Sequence, residues 1–140
     1  GEAYSGTSVL AGAKVMQSLG LIDGYRWALS KDDMRDALIT TGPVVLGIPW
    51  YSGMYEAPGG EVRIAGSMVG WHAIVCNGYD PRLRFNGLGP RPMYRVLNSW
   101  GVGFGQHGSA WIEADALWAL IEGSGGDVCV PVGRRSGVSQ

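Results

Sequence analysis

The sequence predicts an α+β fold in which helices come first and an antiparallel sheet follows. Two early segments carry apolar residues at helical spacing between capping and stop signals. Most later segments alternate apolar and polar residues or are rich in β-branched residues, which is typical of strands. No internal repeat or linker interrupts the 140 residues, so we expect one domain over 1–140 with a frayed tail over 134–140.

The first predicted helix covers 7–19. Thr7 or Ser8 is suited to cap its N-terminus, because a short hydroxyl side chain can accept a hydrogen bond from a free amide of the first turn. Gly20 is suited to end it, since glycine readily adopts the left-handed conformation that follows many helices. Residues 21–29 are then predicted to be a connector.

The second predicted helix begins after Ser30. Ser30 and Asp33 resemble a capping box, with aspartate in the place of the usual glutamate. The acidic residues of the first turn also complement the positive end of the helix dipole. We expect the helix to end at Gly42 and Pro43, which together cannot continue it.

Strands are predicted for much of the remaining chain. The β-branched run over 43–50 is typical of a buried strand. The segment 71–80 alternates, so His72, Ile74 and Cys76 should share one face. The other predicted elements are strands over 94–98, 109–113 and 128–132, a helix over 115–122, and loops over 51–70 (with a short strand at 61–64), 80–93 and 99–108.

The composition excludes several classes of function. Hydrophobic residues make up 46% of the chain and charged residues 16%, so the chain is not intrinsically disordered. The net charge of −1 gives no electrostatic basis for binding nucleic acid. The apolar runs are too short for a transmembrane helix. We therefore expect neither a nucleic acid nor a membrane as a partner.

The residues with catalytic potential are one histidine and one short motif. The two histidines are His72, which opens a strand, and His107, in a glycine-rich loop. A lone histidine on a buried strand is commonly a core residue bonded to a neighbour. The sequence Asn-Ser-Trp-Gly at 98–101 changes this interpretation. A carboxamide at a strand end can orient an imidazole on the next strand, and a tryptophan can shield that bond from water.

These residues resemble the papain-like cysteine peptidases. The matching stretches are GWHAIVCNGYD and YRVLNSWGVGFGQHGSAWI, in which a histidine opens a strand and Asn-Ser-Trp-Gly follows the next one. Upstream, LGLID, DDMRDAL and GPVVLGI resemble the helix and strand that lead into the β half of that family. The resemblance covers about 6–122, and it implies a papain-like fold with an antiparallel half-barrel.

The resemblance also implies roles for individual residues. His72 matches the catalytic base, and Asn98 matches the amide that orients it. Trp100 matches the tryptophan that covers the bond between them. By rough position, the resemblance implies that three further residues line substrate subsites: Trp50, Gly70 and Trp71. It implies no metal and no cofactor.

The sequence departs from the family pattern at several positions. Phe104 stands where the family usually has a second tryptophan, and the predicted loop at 80–93 is longer than is common. Trp71 precedes the histidine where many members have a small or polar residue. The disulfides of animal and plant members are missing, which suits a bacterial or bacteriophage relative.

The largest departure concerns the nucleophile, which the family places at the start of a long helix, just after a glutamine. The first cysteine in this sequence is Cys76, and the one glutamine upstream of His72 is Gln17, inside the first predicted helix. Cys76 lies four residues past His72, about 13–14 Å along a strand, too far for an ion pair. We interpret Cys76 and Cys129 as buried small hydrophobes, with Cys129 as a permuted nucleophile kept as an alternative. Their spacing from the histidines does not match zinc ligand pairs.

Three functions stay open from the sequence. The chain is the histidine-bearing part of a cysteine peptidase whose cysteine lies elsewhere, or it is an inert module that binds a peptide or partner through Trp50, Trp71 and Trp100. A cysteine-dependent amidase or acyltransferase would use the same residues. Because the chain begins Gly-Glu-Ala without a methionine, we expect a processed product or a piece of a longer protein.

The expected partners follow from the first hypothesis. They are a peptide or protein substrate and an N-terminal segment that carries the cysteine. Without that segment, we expect an apolar groove on the β half that is exposed, covered by a retained fragment, or buried in a homodimer.

Overall fold

A computed structural model of the chain describes residues 13–14, 17–85, 87–97 and 108–133. Six strands and two helices lie in these ranges: β1 (Gly24–Trp27), α1 (Lys31–Thr40), β2 (Val44–Tyr51), β3 (Met68–Phe85), β4 (Leu88–Leu97), β5 (Ser109–Glu113), α2 (Ala114–Ser124) and β6 (Asp127–Val132). The strands form one sheet in the order β1-β6-β2-β3-β4-β5, and every neighbouring pair is antiparallel. The predicted α+β class is confirmed.

The helix signals in the sequence act as predicted where the structure describes them. Residues 13–14 and 17–18 of the first predicted helix are helical, and Gly20 follows with a φ of 76°. At the start of α1, the Ser30 hydroxyl accepts a hydrogen bond of 3.0 Å from the Asp33 amide. The cap residue therefore satisfies one of the amides that a helix end leaves without a partner.

Replacing Ser30 with alanine is expected to lower the free energy of unfolding by about 1 kcal/mol, the usual cost of losing an N-cap side chain. Denaturant unfolding of the two proteins measures the difference. Ser30→Asp is the matched control, because aspartate caps equally well and should leave the stability within about 0.3 kcal/mol of the original. Equal losses of stability from alanine and aspartate would show that the loss does not come from the cap hydrogen bond.

One face of the sheet and both helices share the main core. On β2, Val44 and Leu46 are fully buried, and Met34 from α1 and Leu117 from α2 belong to the same cluster. The opposite face carries a smaller cluster in which Cys129 packs with aromatic and aliphatic neighbours: Ala13, Tyr25, Trp27 and Val45. None of the helices in the described part of the chain is long and apolar enough to span a membrane.

Two predicted irregular segments are in fact strands. The connector predicted over 21–29 contains β1, which pairs with β6 through residues more than 100 positions away. The loop predicted over 80–93 is the end of a long β3–β4 hairpin. Both predictions are wrong because pairing with a distant or folded-back strand leaves no local pattern.

The prolines of the hairpin explain how it tolerates residues that usually break strands. Before Met93, the described part of β4 pairs with β3 but not with β5, so the other edge of this stretch needs no amide donor. Pro90 and Pro92 lie in this stretch of β4, and Pro81 lies next to a shift in register between Asp80 and Leu83 on β3. Proline is accepted at such edges and irregularities.

Candidate active site around His72

His72 lies at the more open end of an otherwise buried row on β3. Its neighbours along the same face, Ile74 and Cys76, are 3% and 0% exposed, whereas His72 is half-buried. The three residues pair with alternate residues of β2: Ile48, Leu46 and Val44. The predicted common face is confirmed, and it places the imidazole where the hydrophobic core meets the surface.

The ring of Trp50 packs against the imidazole. Trp50 pairs with Gly70, which has no side chain, and His72 is the diagonal neighbour on the same face. The two ring centroids are 5.1 Å apart and the planes are inclined at 44°. Trp50 is 2% exposed, so its ring belongs to the core. The residue forms a rigid apolar support behind the histidine.

Trp71 lies on the other face of the sheet. It pairs with Pro49 and is half-buried, and successive residues of a strand point to opposite faces. Trp50 and Trp71 therefore lie on opposite faces of the sheet. Gly70 and Trp71 still flank His72 in sequence, so a role for them in binding substrate stays a prediction.

The other predicted members of the site, Asn98 and Trp100, lie outside the described residues. The β3–β4 ladder is described as far as the pair formed by Val75 and Leu97. Leu97 directly precedes Asn98 in the sequence. The described ladder therefore ends at Val75, three residues along the strand from His72.

The segment between β2 and β3 packs against the main core and crosses the sheet to β5. It leaves β2, the third strand of the sheet, and reaches β5 at the far edge, where the Val62 amide donates to the Trp111 carbonyl at 2.8 Å. Met54 and Val62 from this segment are buried in the main core. The crossing thus holds the end of β2 that carries Trp50.

A buried carboxylate fastens this crossing segment. Glu61 is 7% exposed, and both Arg63 and Arg91 donate to it at 3.3 Å. Arg91 also donates to Glu113 at 3.3 Å, so one guanidinium joins the segment to the end of β5. No local pattern in the sequence indicates this network, because Glu61 and Glu113 lie 52 positions apart in the chain.

Both cysteines are buried, as predicted. Cys76 is 0% exposed and Cys129 is 1% exposed, and both are free thiols. Burial raises the pKa of Cys76 to about 12, and the thiol donates a weak hydrogen bond to the Gly78 carbonyl at 3.8 Å. Burial and the nearby charge of Asp127 raise the pKa of Cys129. Neither thiol has the environment of a nucleophile, which requires a lowered pKa and access to substrate.

Native protein is therefore expected to resist alkylation at both cysteines. Raising a thiol pKa from 9.0 to about 12 leaves about a thousandfold less thiolate at pH 8. Mass spectrometry after treatment with iodoacetamide at pH 8 should show no addition to the native protein, and two additions after unfolding in guanidinium chloride. Rapid addition to the native protein at Cys129 would instead support its role as a permuted nucleophile.

Among the described residues, no group of three His, Cys, Asp or Glu side chains is placed to hold a metal ion. The chemistry that the described arrangement offers is that of a single imidazole. The imidazole is half-buried and packs against the Trp50 ring.

Comparison with solved structures shows the same fold in cysteine proteases. Xylellain, a cysteine protease from Xylella fastidiosa, is 23% identical with a TM-score of 0.59 over 81% of this chain and 41% of its own. Bromelain from Ananas comosus, solved with the E64 inhibitor, is 22% identical with a TM-score of 0.59, and the match covers 81% of this chain and 51% of bromelain. Digestive procathepsin L 3 of Tenebrio molitor is 19% identical with a TM-score of 0.59, and the match covers 79% of this chain and 35% of the procathepsin.

These neighbours establish the fold of the described residues as papain-like. The chain spans about 35–51% of the length of these three structures. No protein-family profile matches the sequence. No curated protein sequence matches it either.

Proposed function

We propose that this chain carries the general base of a papain-like cysteine peptidase site, with His72 as the base and Asn98 as the amide that orients it. The observation that carries the proposal is the position of His72, which is half-buried and packed on Trp50 at the open end of a buried strand face. The thiol would come from a segment outside these 140 residues, since Cys76 and Cys129 are buried.

In this mechanism, His72 transfers one proton in each half of the reaction. The neutral imidazole takes the thiol proton, and the thiolate then attacks the peptide carbonyl to give a tetrahedral intermediate. The imidazolium returns the proton to the leaving amine, and a thioester to the enzyme remains. A water molecule, deprotonated by His72, then releases the acid and restores the thiol. Each step requires a fixed imidazole, and the rigid ring of Trp50 limits how far the histidine can turn.

Substrate binding is proposed for the residues that flank the base. Gly70 and Trp71 precede His72 on β3, and both are half-buried. A glycine at this position lets a peptide backbone approach the strand closely. Trp71 offers a large amphipathic surface on the face opposite to Trp50. Hydrolysis or acyl transfer would follow according to whether water or an amine takes the acyl group.

The test is to isolate the natural protein that contains this sequence and to treat it with an epoxide inhibitor of cysteine peptidases. We expect one covalent addition on a cysteine upstream of these 140 residues, or on a cysteine of a fragment that stays bound in native mass spectrometry. His72→Gln should abolish the addition. The proposal is wrong if the label is found on Cys76 or Cys129, or if no form of the protein reacts.

A second candidate function is a binding module without catalysis. The burial of both thiols favours it, because neither of the two cysteines of the chain is accessible to a substrate. A native mass of about 14.9 kDa with no bound fragment would support this function. A native mass of twice this value would instead support the proposed homodimer.

A further inference from the structure

A pocket of about 200 Å³ lies away from His72, beside Tyr79 in the second half of β3. The first turns of α1 and α2 and the base of the β3–β4 hairpin enclose it, with Tyr79 in its wall. Tyr79 follows His72 by seven residues on the same strand, a separation of roughly 20 Å at the usual rise. The pocket is therefore separate from the proposed active site.

The pocket is rich in hydrogen-bond donors. Lys31 and Arg35 from α1 line it, as do Ala114 and Asp115 from the first turn of α2. The residue before α2, Glu113, makes no side-chain cap hydrogen bond. The first amides of this 11-residue helix thus have no capping side chain from that residue, and they present the positive end of the helix dipole.

The buried hydroxyl of Tyr94 is an independent indication that this pocket binds a ligand. Tyr94 lines the pocket and is 0% exposed. Within the described part of the chain, its hydroxyl has no hydrogen-bond partner. The hydroxyl is close enough to Arg35 and Asp32 for their charges to influence it, and burial raises its pKa, so it stays protonated. A buried donor without an acceptor is unfavourable, and a ligand oxygen would supply the acceptor.

The two acidic residues of the wall do not block an anion. Asp115 bonds to Lys31 at 3.0 Å and Asp32 to Arg35 at 3.4 Å, and both carboxylate side chains are 73% exposed. Ion pairs exposed to this degree are weak, because water screens both charges. An entering oxygen can therefore replace a carboxylate as the partner of either cation.

We propose that this pocket binds a small oxyanion, a carboxylate or a phosphate, which accepts hydrogen bonds from Tyr94, Arg35 and the first amides of α2. The two cations and the helix dipole favour the negative charge. The buried hydroxyl selects a ligand that accepts hydrogen bonds. The pocket volume limits the ligand to a few heavy atoms beyond the anionic group.

The test is an NMR titration of the protein with sodium phosphate, and separately with sodium acetate, at an ionic strength held constant with sodium chloride. The backbone amides of Asp115 and Ala116 should shift with saturation for at least one of the two anions. Saturation with phosphate alone, or with acetate alone, identifies the source of the oxyanion. Linear shifts that sodium chloride reproduces would overturn the proposal.

Three variants distinguish the site from a general effect of charge. Tyr94→Phe keeps the ring in the core and should weaken binding about fivefold, the effect of one hydrogen bond of ordinary strength. Asp115→Asn removes a competing carboxylate and should tighten binding. Arg84→Gln, which changes an exposed residue of the hairpin, should leave binding unchanged. Unchanged binding in Tyr94→Phe, or weaker binding in Asp115→Asn, would also overturn the proposal.

Discussion

Replacing His72 with glutamine is expected to lower kcat/KM for peptide hydrolysis about a thousandfold in the form of the protein that includes the proposed nucleophilic cysteine. Glutamine keeps the polarity and most of the volume of the side chain, but it cannot accept the thiol proton and return it to the amine. General acid–base catalysis by one positioned residue is worth about 10²–10⁴ in rate. The measurement is kcat/KM with a fluorogenic peptide, compared between the two proteins.

The control for this variant is His107→Gln, since His107 is the other histidine of the chain. It should retain hydrolysis within a few-fold of the original protein. The acidic limb of the pH profile of kcat/KM should also be lost in His72→Gln, because that limb reports ionisation of the thiol and imidazole pair. If His72→Gln retained most of the activity, His72 would not be the base.

Replacing Trp50 with alanine is expected to lower the free energy of unfolding by about 3–5 kcal/mol, the usual cost of truncating a large buried aromatic residue. Trp50 is 2% exposed and belongs to the main core. The variant leaves a cavity directly behind the imidazole of His72, which its ring now supports. Urea unfolding followed by far-UV circular dichroism measures the loss.

Tyr55→Ala is the matched control for Trp50→Ala. Tyr55 contacts the Trp50 ring edge to face with centroids 6.3 Å apart, but it is 49% exposed. Its truncation is expected to cost about 1 kcal/mol, since much of its surface already faces water. A cost below about 1 kcal/mol for Trp50→Ala would mean that the ring is not buried in the core.

The elements that the sequence predicted well are those governed by neighbours in the chain. Ser30 caps α1 because its hydroxyl reaches an amide three residues away. His72, Ile74 and Cys76 share a face because side chains alternate along any strand. The alternation alone does not distinguish His72 from a core histidine. Its interpretation as a catalytic base came from the resemblance of the Asn-Ser-Trp-Gly motif at 98–101 to the papain-like peptidases.

The sequence determined the α+β class, the capped start of α1 and the strand face that carries His72, because each depends on interactions within a few residues. Only the tertiary structure decided that Trp50 supports the histidine from within the core, that 80–93 folds back as a hairpin, and that Arg91 fastens Glu61. These features depend on which strands become neighbours. Neighbouring strands are selected by burial of the whole apolar surface, so no local pattern in the sequence encodes them.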